Sequence, residues 1–165
     1  MISLIAAVSE NRVIGNHGDL PWRLPTDTKY FLDSTIGKTI VMGRTTFQLI
    51  IDGRNGELLP GRTNVVLTND QNFSYPGVQV IHNVHDIEKL SDDIMIIGGA
   101  KVYDATIVLA DRLFITEVHA RVKGDAFFPL IDSDMWREIS RSHHFADALN
   151  QYDFDFVVYE RILQK

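Results

Sequence analysis

Two short stretches, Ile40-Val41-Met42 and Ile94-Met95-Ile96-Ile97, are apolar at every position, and nothing else in the chain narrows the choice of fold as much. A strand with one face in water alternates apolar and polar side chains, so a strand without alternation is covered on both faces. Sheets covered on both faces are mostly parallel and carry helices. The rest of the chain keeps the matching rhythm. Apolar, β-branched runs at residues 2–8, 39–42, 63–68, 78–81, 94–97, 113–118 and 154–161 predict strands, and residues 26–34, 45–51, 84–90 and 100–110 predict helices, with Gly, Pro or Asn at the joints. In the third helical segment Val84, Ile87 and Leu90 recur every three residues behind Asn83, a good cap. Phe154-Asp155-Phe156 alternates, and no strong helix separates the late strands. The expected class is therefore α/β: a central, mostly parallel sheet with a late antiparallel strand and helices on both faces.

The 165 residues fit a single domain, 1–165, long enough to bury a core without staples. No run approaches the roughly 18 apolar residues of a membrane span. The amino terminus, Met1-Ile2-Ser3-Leu4-Ile5-Ala6-Ala7-Val8, lacks a basic leader and cleavage region and reads as a strand. A cytoplasmic protein is expected, with no membrane partner. The absence of cysteine excludes disulfides, a thiol nucleophile and Cys-ligated metal. The net charge of −6 argues against a dominant nucleic-acid role, so an anionic ligand must be held by local bases. The longest irregular stretch, residues 9–24, is rich in Gly, Asn and Pro, and a loop of that length is more often functional than idle.

Three turns are candidates for holding phosphate. Gly37-Lys38-Thr39 resembles the tail of a nucleoside-triphosphate loop, but the motif's first glycine would fall at Leu32, with a helix before and a strand after, so it fails. Gly98-Gly99-Ala100-Lys101-Val102 is better placed: a buried strand ends in two glycines and a helix begins, letting backbone N–H groups approach a pyrophosphate. Gly43-Arg44-Thr45-Thr46 repeats the arrangement after strand 39–42. Two such turns, each with a base (Arg44, Lys101), suit one ligand with several phosphates, NADPH being the obvious case. Either turn alone reads equally well as tight packing beside a solvated base. No metal site is expected: His82 and His85 lie on different elements, and His143-His144 sits in a polar, solvated stretch. Gly-x-Ser-x-Gly and His-Glu-x-x-His patterns are absent. The chemistry then belongs to a cofactor.

Asp27 is the candidate acid. It stands among apolar and aromatic residues in Leu20-Pro21-Trp22-Arg23-Leu24-Pro25-Thr26-Asp27-Thr28-Lys29-Tyr30-Phe31. A carboxylate facing an apolar cleft has a raised pKa and becomes a usable proton source or polar anchor near neutral pH. The plainer alternative is that Pro25 begins a helix whose dipole favours an acid in its first turn.

Taken in order, Ile5-Ala6-Ala7, Val13-Ile14-Gly15, Leu20-Pro21-Trp22, Leu24-Pro25-Thr26-Asp27, Val41-Met42-Gly43-Arg44-Thr45-Thr46-Phe47, Leu59-Pro60-Gly61-Arg62, Ile97-Gly98-Gly99-Ala100, Val102-Tyr103, Thr116 and Gly124-Asp125-Ala126-Phe127-Phe128-Pro129 closely resemble dihydrofolate reductases of the bacterial type. The resemblance covers essentially the whole chain. It implies a dihydrofolate reductase-like fold and NADPH-dependent reduction of 7,8-dihydrofolate to 5,6,7,8-tetrahydrofolate in one-carbon metabolism, by a monomer that antifolate inhibitors would also bind. It gives Asp27 the part of holding the pterin's 2-amino group and N3 and promoting protonation of N5, directly or through a water, while hydride passes to C6. Thr116 matches the threonine that bonds this carboxylate and a water, and Trp22 the tryptophan of the mobile loop over the site. Ile5, Ala7, Phe31, Ile50, Leu59, Ile97 and Tyr103 match pterin and benzoyl pocket positions, and Arg62 the arginine that grips the glutamate α-carboxylate. On the cofactor side, Ala7, Ile14 and Thr46 match nicotinamide positions. Arg44, Thr45, Thr68, Asn69 and Lys101 match the 2′-phosphate region, and Gly43, Gly98, Gly99, Ala100 and Val102 the phosphate turns. Asp125 matches an acid that braces the mobile loop.

Two departures stand out. Residues 51–58 exceed the usual connection before Leu-Pro-Gly-Arg by about five, an insertion that costs little free energy at a surface but can alter the benzoyl-glutamate rim. Thr28 replaces an apolar or acidic residue and adds polarity beside Asp27. Two rival readings remain: a related reductase acting on a pyrimidine of riboflavin synthesis, which would lack the Trp22, Asp27 and Arg62 set, and a receiver-type regulator, which needs an acidic pair where Val8 is followed by Ser9-Glu10-Asn11.

Overall fold

The computed structural model describes residues 1–163. In chain order the elements are strands β1 (Ile2–Ser9) and β2 (Val13–Gly15), helix α1 (Pro25–Thr35), β3 (Thr39–Gly43), α2 (Arg44–Asp52), β4 (Thr63–Leu67), β5 (Val78–Ile81), a 3₁₀ segment (Val84–Lys89), β6 (Ile94–Gly98), α3 (Ala100–Thr106), a second 3₁₀ segment (Ile107–Leu109), β7 (Arg112–Val118), β8 (Ala126–Phe127), β9 (Trp136–His144) and β10 (Phe154–Arg161). Eight strands form one sheet in the order β5-β4-β3-β6-β1-β7-β10-β9. Pairings from β5 through β7 are parallel, whereas β10 runs antiparallel to both β7 and β9.

The two uninterrupted apolar runs became the middle of the sheet, as their lack of alternation requires. Ile40, Val41, Met42, Met95 and Ile96 are inaccessible to solvent, and their side chains divide between the two faces. On one face Ile40, Met42, Val66, Met95 and Ile97 pack with Phe47 and Ile51 of α2 and with Tyr30 and Phe31 of α1. On the other, Leu4, Val41, Val65, Ile94 and Ile96 pack with Tyr103 of α3 and with Ile87. Helices thus cover both faces.

Three expectations need correction, and one strand lies where none was expected. Residues 84–90 form a 3₁₀ segment, not an α-helix, although Asn83 caps it as expected by accepting from the His85 N–H at 2.9 Å; the three-residue recurrence of Val84, Ile87 and Leu90 is itself the 3₁₀ period. Residues 100–110 are α-helical only to Thr106 before tightening to 3₁₀. The irregular stretch 9–24 contains β2, which pairs with β8. Lastly, β9 follows no apolar pattern because it is an edge strand whose residues are nearly all exposed beyond Trp136.

The strand order places the site. From β1 the chain skips a position to form β3, then builds outward to β5, and β6 returns to fill the gap. In parallel sheets a ligand crevice opens beyond the carboxyl ends of strands at such a switch. Here the ends of β3 and β6 lie side by side, Met42 opposite Gly98, and each runs directly into a helix.

Candidate active site

Helix α1 has Pro at its first position and no side-chain cap of its own, since Leu24 occupies the cap position. The task falls to Asn150, far along the chain. Its Oδ1 accepts from the Thr26 N–H at 3.1 Å and its Nδ2 donates to Thr26 Oγ1 at 2.9 Å. The Asp27 carboxylate is therefore not needed at the helix end and points to the sheet, where Thr116 Oγ1 donates to its Oδ1 at 2.5 Å. Thr116 is buried on β7, opposite Ala7 of β1. Burial pushes the Asp27 carboxyl above its ordinary value, and the Thr116 hydrogen bond offsets part of that shift. Asp27 thus sits as a pocket acid rather than as a solvated helix terminus.

Around it, Trp22 and Leu24 are buried with Val118 and Phe154, and Ala7 and Phe156 pack against them. A cleft of about 340 Å³ is lined by Leu20, Trp22, Arg23, Leu24, Pro25, Asp27 and Thr28. The Trp22 indole Nε1 is buried without a protein partner, a donor left for a water or a ligand. The Tyr30 ring stacks on Phe156 with centroids 4.0 Å apart. Ile5, Leu59 and Ile97 belong to one buried cluster, with Phe31 and Ile50 at its edge. Tyr103 comes from the opposite face, and its hydroxyl donates to the Ile5 carbonyl at 2.6 Å. Of the expected pterin and benzoyl residues, Ile5, Phe31, Ile50, Leu59 and Ile97 thus share one cluster, Ala7 packs with Trp22 and Leu24, and Tyr103 of α3 reaches Ile5 from the other face.

The two glycine turns also meet. A Cβ on Gly43 would lie 2.9 Å from Val102 Cγ2, and one on Gly99 would lie 3.2 Å from Thr46 Oγ1. Gly98 has φ +120° and would drive a Cβ against the Tyr103 ring, so these turns tolerate no larger residue without displacement. Arg44 and Lys101, both exposed, flank this edge. The bare backbone and two cations fit a dinucleotide pyrophosphate and an additional phosphate. Arg44 is not idle in the meantime: its Nη1 contacts Asp70 Oδ2 at 2.6 Å, and its guanidinium lies 5.1 Å from the Phe73 ring centroid. Thr68 orients Asp70 by bonding its N–H, while Asn69 is exposed beside it. Ile14, partly buried, packs against the main core.

The dihydrofolate reductase family matches residues 1–161. The chain belongs to the dihydrofolate reductase family. It is 41% identical to dihydrofolate reductase type 3 of Salmonella typhimurium over 164 residues, 98% of each chain. Identity to the dihydrofolate reductase of Bacillus subtilis (strain 168) is 38%, over 98% of this chain and 95% of that one. A solved structure of the Enterococcus faecalis enzyme, complexed with NADP(H) and RAB-propyl, superposes with a TM-score of 0.86 at 36% identity, covering 98% of this chain and 96% of that chain. As a dihydrofolate reductase it is an NADP-dependent oxidoreductase that reduces dihydrofolate to tetrahydrofolate.

In this reductase Arg62 has local duties as well. Its Nε donates to Thr35 Oγ1 at 2.9 Å, Nη2 to the Leu32 carbonyl at 2.7 Å, and Nη1 to the Pro60 carbonyl. These bonds fasten the carboxyl end of α1. A guanidinium has five N–H donors, so two hydrogens, one on each terminal nitrogen, are not used by these bonds. Burial and the nearby Arg54 pull the Arg62 pKa down.

The loop over the cleft is braced at two places. Asp125 Oδ2 accepts from the His17 N–H at 3.1 Å, and the Asp125 N–H donates to the Gly15 carbonyl at 3.0 Å. At the other end, Arg23 and Gln151 exchange bonds: the Arg23 N–H donates to Gln151 Oε1 and the Gln151 N–H to the Arg23 carbonyl. Asn150 and Gln151 carried no sequence signal, because a polar pair in a polar loop acquires meaning only from what lies across the fold. His143 is exposed, as expected, and its Nδ1 also lies 2.5 Å from Asp155. Among the described residues no helix is long and apolar enough to cross a membrane.

Proposed function

We propose that Asp27, held by Thr116 and covered by Trp22, is the group that prepares dihydrofolate for hydride transfer. The observation carrying this reading is the Asp27–Thr116 hydrogen bond in a cleft walled by apolar side chains. With Oδ1 taken by Thr116, Oδ2 is available to accept from the pterin's 2-amino group and N3. Desolvation keeps the carboxyl's proton affinity high, so the site favours a protonated N5, directly or through a water beside the unpartnered Trp22 Nε1. An imine-like carbon accepts hydride more readily once its nitrogen carries a proton. NADPH, when bound, supplies the hydride delivered to C6.

The other assignments follow their positions. Ile5, Ala7, Phe31, Ile50, Leu59, Ile97 and Tyr103 enclose the pterin and benzoyl groups and exclude water. The two unused hydrogens of Arg62 take the glutamate α-carboxylate. Gly43, Gly98, Gly99, Ala100 and Val102 bring backbone close to the pyrophosphate; Ile14 and Thr46 line the nicotinamide side. Arg44, Thr45, Thr68, Asn69 and Lys101 surround the 2′-phosphate. We further infer a single domain acting as a cytoplasmic monomer without nucleic-acid partners, supported by a site completed within one chain and by a net charge of −6. The test is loss of near-ultraviolet NADPH absorbance with and without dihydrofolate, followed across pH in single turnover. The hydride step is expected to slow as pH rises through an apparent pKa of the enzyme–substrate pair; a rate independent of pH would refute the role given to Asp27.

A further inference from the structure

On the sheet face opposite Asp27, three adjacent strands bring together a cluster that folate reduction does not use. His119 follows the last residue of β7, Asp155 lies on β10 opposite Glu117, and His143 on β9 is the cross-strand partner of Asp155. Asp155 is 6% exposed, although it is a carboxylate. Arg141 Nη1 holds its Oδ2 at 2.6 Å, which turns Oδ1 toward both imidazoles: His143 Nδ1 is 2.5 Å away and His119 Nε2 3.0 Å. These donor atoms all lie within 4.8 Å of one another.

We propose that His119, His143 and Asp155 form a binding site for a divalent transition metal ion of the zinc class. The donor set, two imidazole nitrogens and one carboxylate oxygen, suits such ions rather than calcium or magnesium, which take oxygen ligands. Both imidazoles are about two-fifths exposed, 36% and 42% by side chain, so an ion can enter and water can complete a fourth position. Tetrahedral geometry at ordinary metal–nitrogen distances separates donor atoms by roughly 3.3 Å. Relative to Asp155 Oδ1 the imidazoles must therefore move outward by less than an ångström from 2.5 and 3.0 Å, and surface side chains at strand ends have that freedom.

The surroundings favour the ion as well. Arg141 is the guanidinium in the cluster, and it is shared among Glu117, Glu138 and Asp155, so carboxylates outnumber cations even before Asp153 is included. Asp153 Oδ2 lies 4.0 Å from His143 Nε2. That is too long for a hydrogen bond, but closing it as the ring moves would keep the hydrogen on Nε2 and leave the Nδ1 lone pair for the metal, the outer carboxylate–histidine arrangement common in metal sites. Arg141 fixes the Asp155 carboxylate in the same way. On binding, the ion sits between Asp155 Oδ1 and the two imidazole nitrogens that now lie against it.

The test is titration of the metal-free, full-length protein with Zn²⁺ by calorimetry and with Co²⁺ by visible absorption. One equivalent of Zn²⁺ is expected to bind the wild type and raise its Tm, and Co²⁺ to give the intense ligand-field bands of a four- or five-coordinate site. The double variant His119→Gln, His143→Gln keeps Asp155 and its Arg141 partner. It should bind Zn²⁺ at least roughly tenfold more weakly, no less than the loss of an outer partner, with the Co²⁺ bands gone. The double variant His82→Ala, His85→Ala should bind like the wild type. Zn²⁺ binding unchanged by the His119, His143 substitutions, or Co²⁺ bands only of the six-coordinate aqueous type, would overturn the assignment.

Discussion

Replacing Asp27 with Asn keeps the shape of the side chain and removes its charge, and the surrounding contacts set the expected sign of each effect. Three terms act on stability. Loss of a carboxylate from the first turn of α1 forfeits about 0.3–1 kcal/mol of dipole interaction, but that turn already has its anchor in the Asn150–Thr26 bonds. Thr116 can still donate to the Asn Oδ1; its bond falls from the charged class, about 1.5–3 kcal/mol, to the neutral one, about 0.5–1.5. Against both stands relief of desolvation, the largest influence on Asp27 and the reason its pKa is raised. Because the shift is upward, the folded protein binds the proton more tightly than the unfolded chain does. Ionised Asp27 therefore costs stability as pH rises above the unfolded value of about 3.9, reaching a plateau above the folded value. Wild type and variant should be similarly stable in acid, and the variant equal or higher in Tm at neutral pH. Hydride transfer should fall by roughly two orders of magnitude or more, about 2.7 kcal/mol of barrier, recovering mainly at low pH where solvent can protonate N5. Thermal melts of the ligand-free protein from pH 3 to 8, with single-turnover rates, measure both quantities. A variant that is destabilised at neutral pH yet reduces dihydrofolate normally would refute the reasoning, because Asp27 would then be a helix-dipole residue.

Arg44→Ala should weaken NADPH more than NADH by about 1–3 kcal/mol, the range for bonds to charged groups; equal losses measured by fluorescence titration would exclude a 2′-phosphate role. Arg62→Leu should raise KM for dihydrofolate while a small pterin-like inhibitor without glutamate binds as before. It should also lower Tm, since its bonds to Leu32, Thr35 and Pro60 are lost; equal weakening of both ligands would reduce Arg62 to a structural part. Asn150→Ala removes the distant cap of α1 and should cost about 1–2 kcal/mol in chemical denaturation. The hydride rate should fall much less than in Asp27→Asn, because Asp27 itself remains; an unchanged denaturation midpoint would show that Thr26 finds another partner.

What could be read without coordinates was whatever depends on side-chain periodicity and local backbone chemistry. Ile40-Val41-Met42 and Ile94-Met95-Ile96-Ile97 announce strands covered on both faces whatever their neighbours, because alternation is lost only when both sides are dry. Pro25 marks the start of α1 and Asn83 a cap for similarly local reasons, and Gly98-Gly99 marks a turn without side-chain bulk. The order of motifs along the chain was enough to place it in its family. Tertiary structure decided which elements became neighbours. β9 is an exposed edge strand, and its pairing with β10 leaves no apolar pattern in Arg137-Glu138-Ile139-Ser140-Arg141. Whether Asp27 serves the helix dipole or the cleft is open in sequence, since a first-turn acid fits both; the Thr116 bond across the sheet and the Asn150 cap across the chain appear only in the fold. The same holds for His119, His143 and Asp155, which are dispersed in sequence and meet only because strand register sets them side by side. Local patterns report the environment a residue needs, but long-range register determines which residue supplies it.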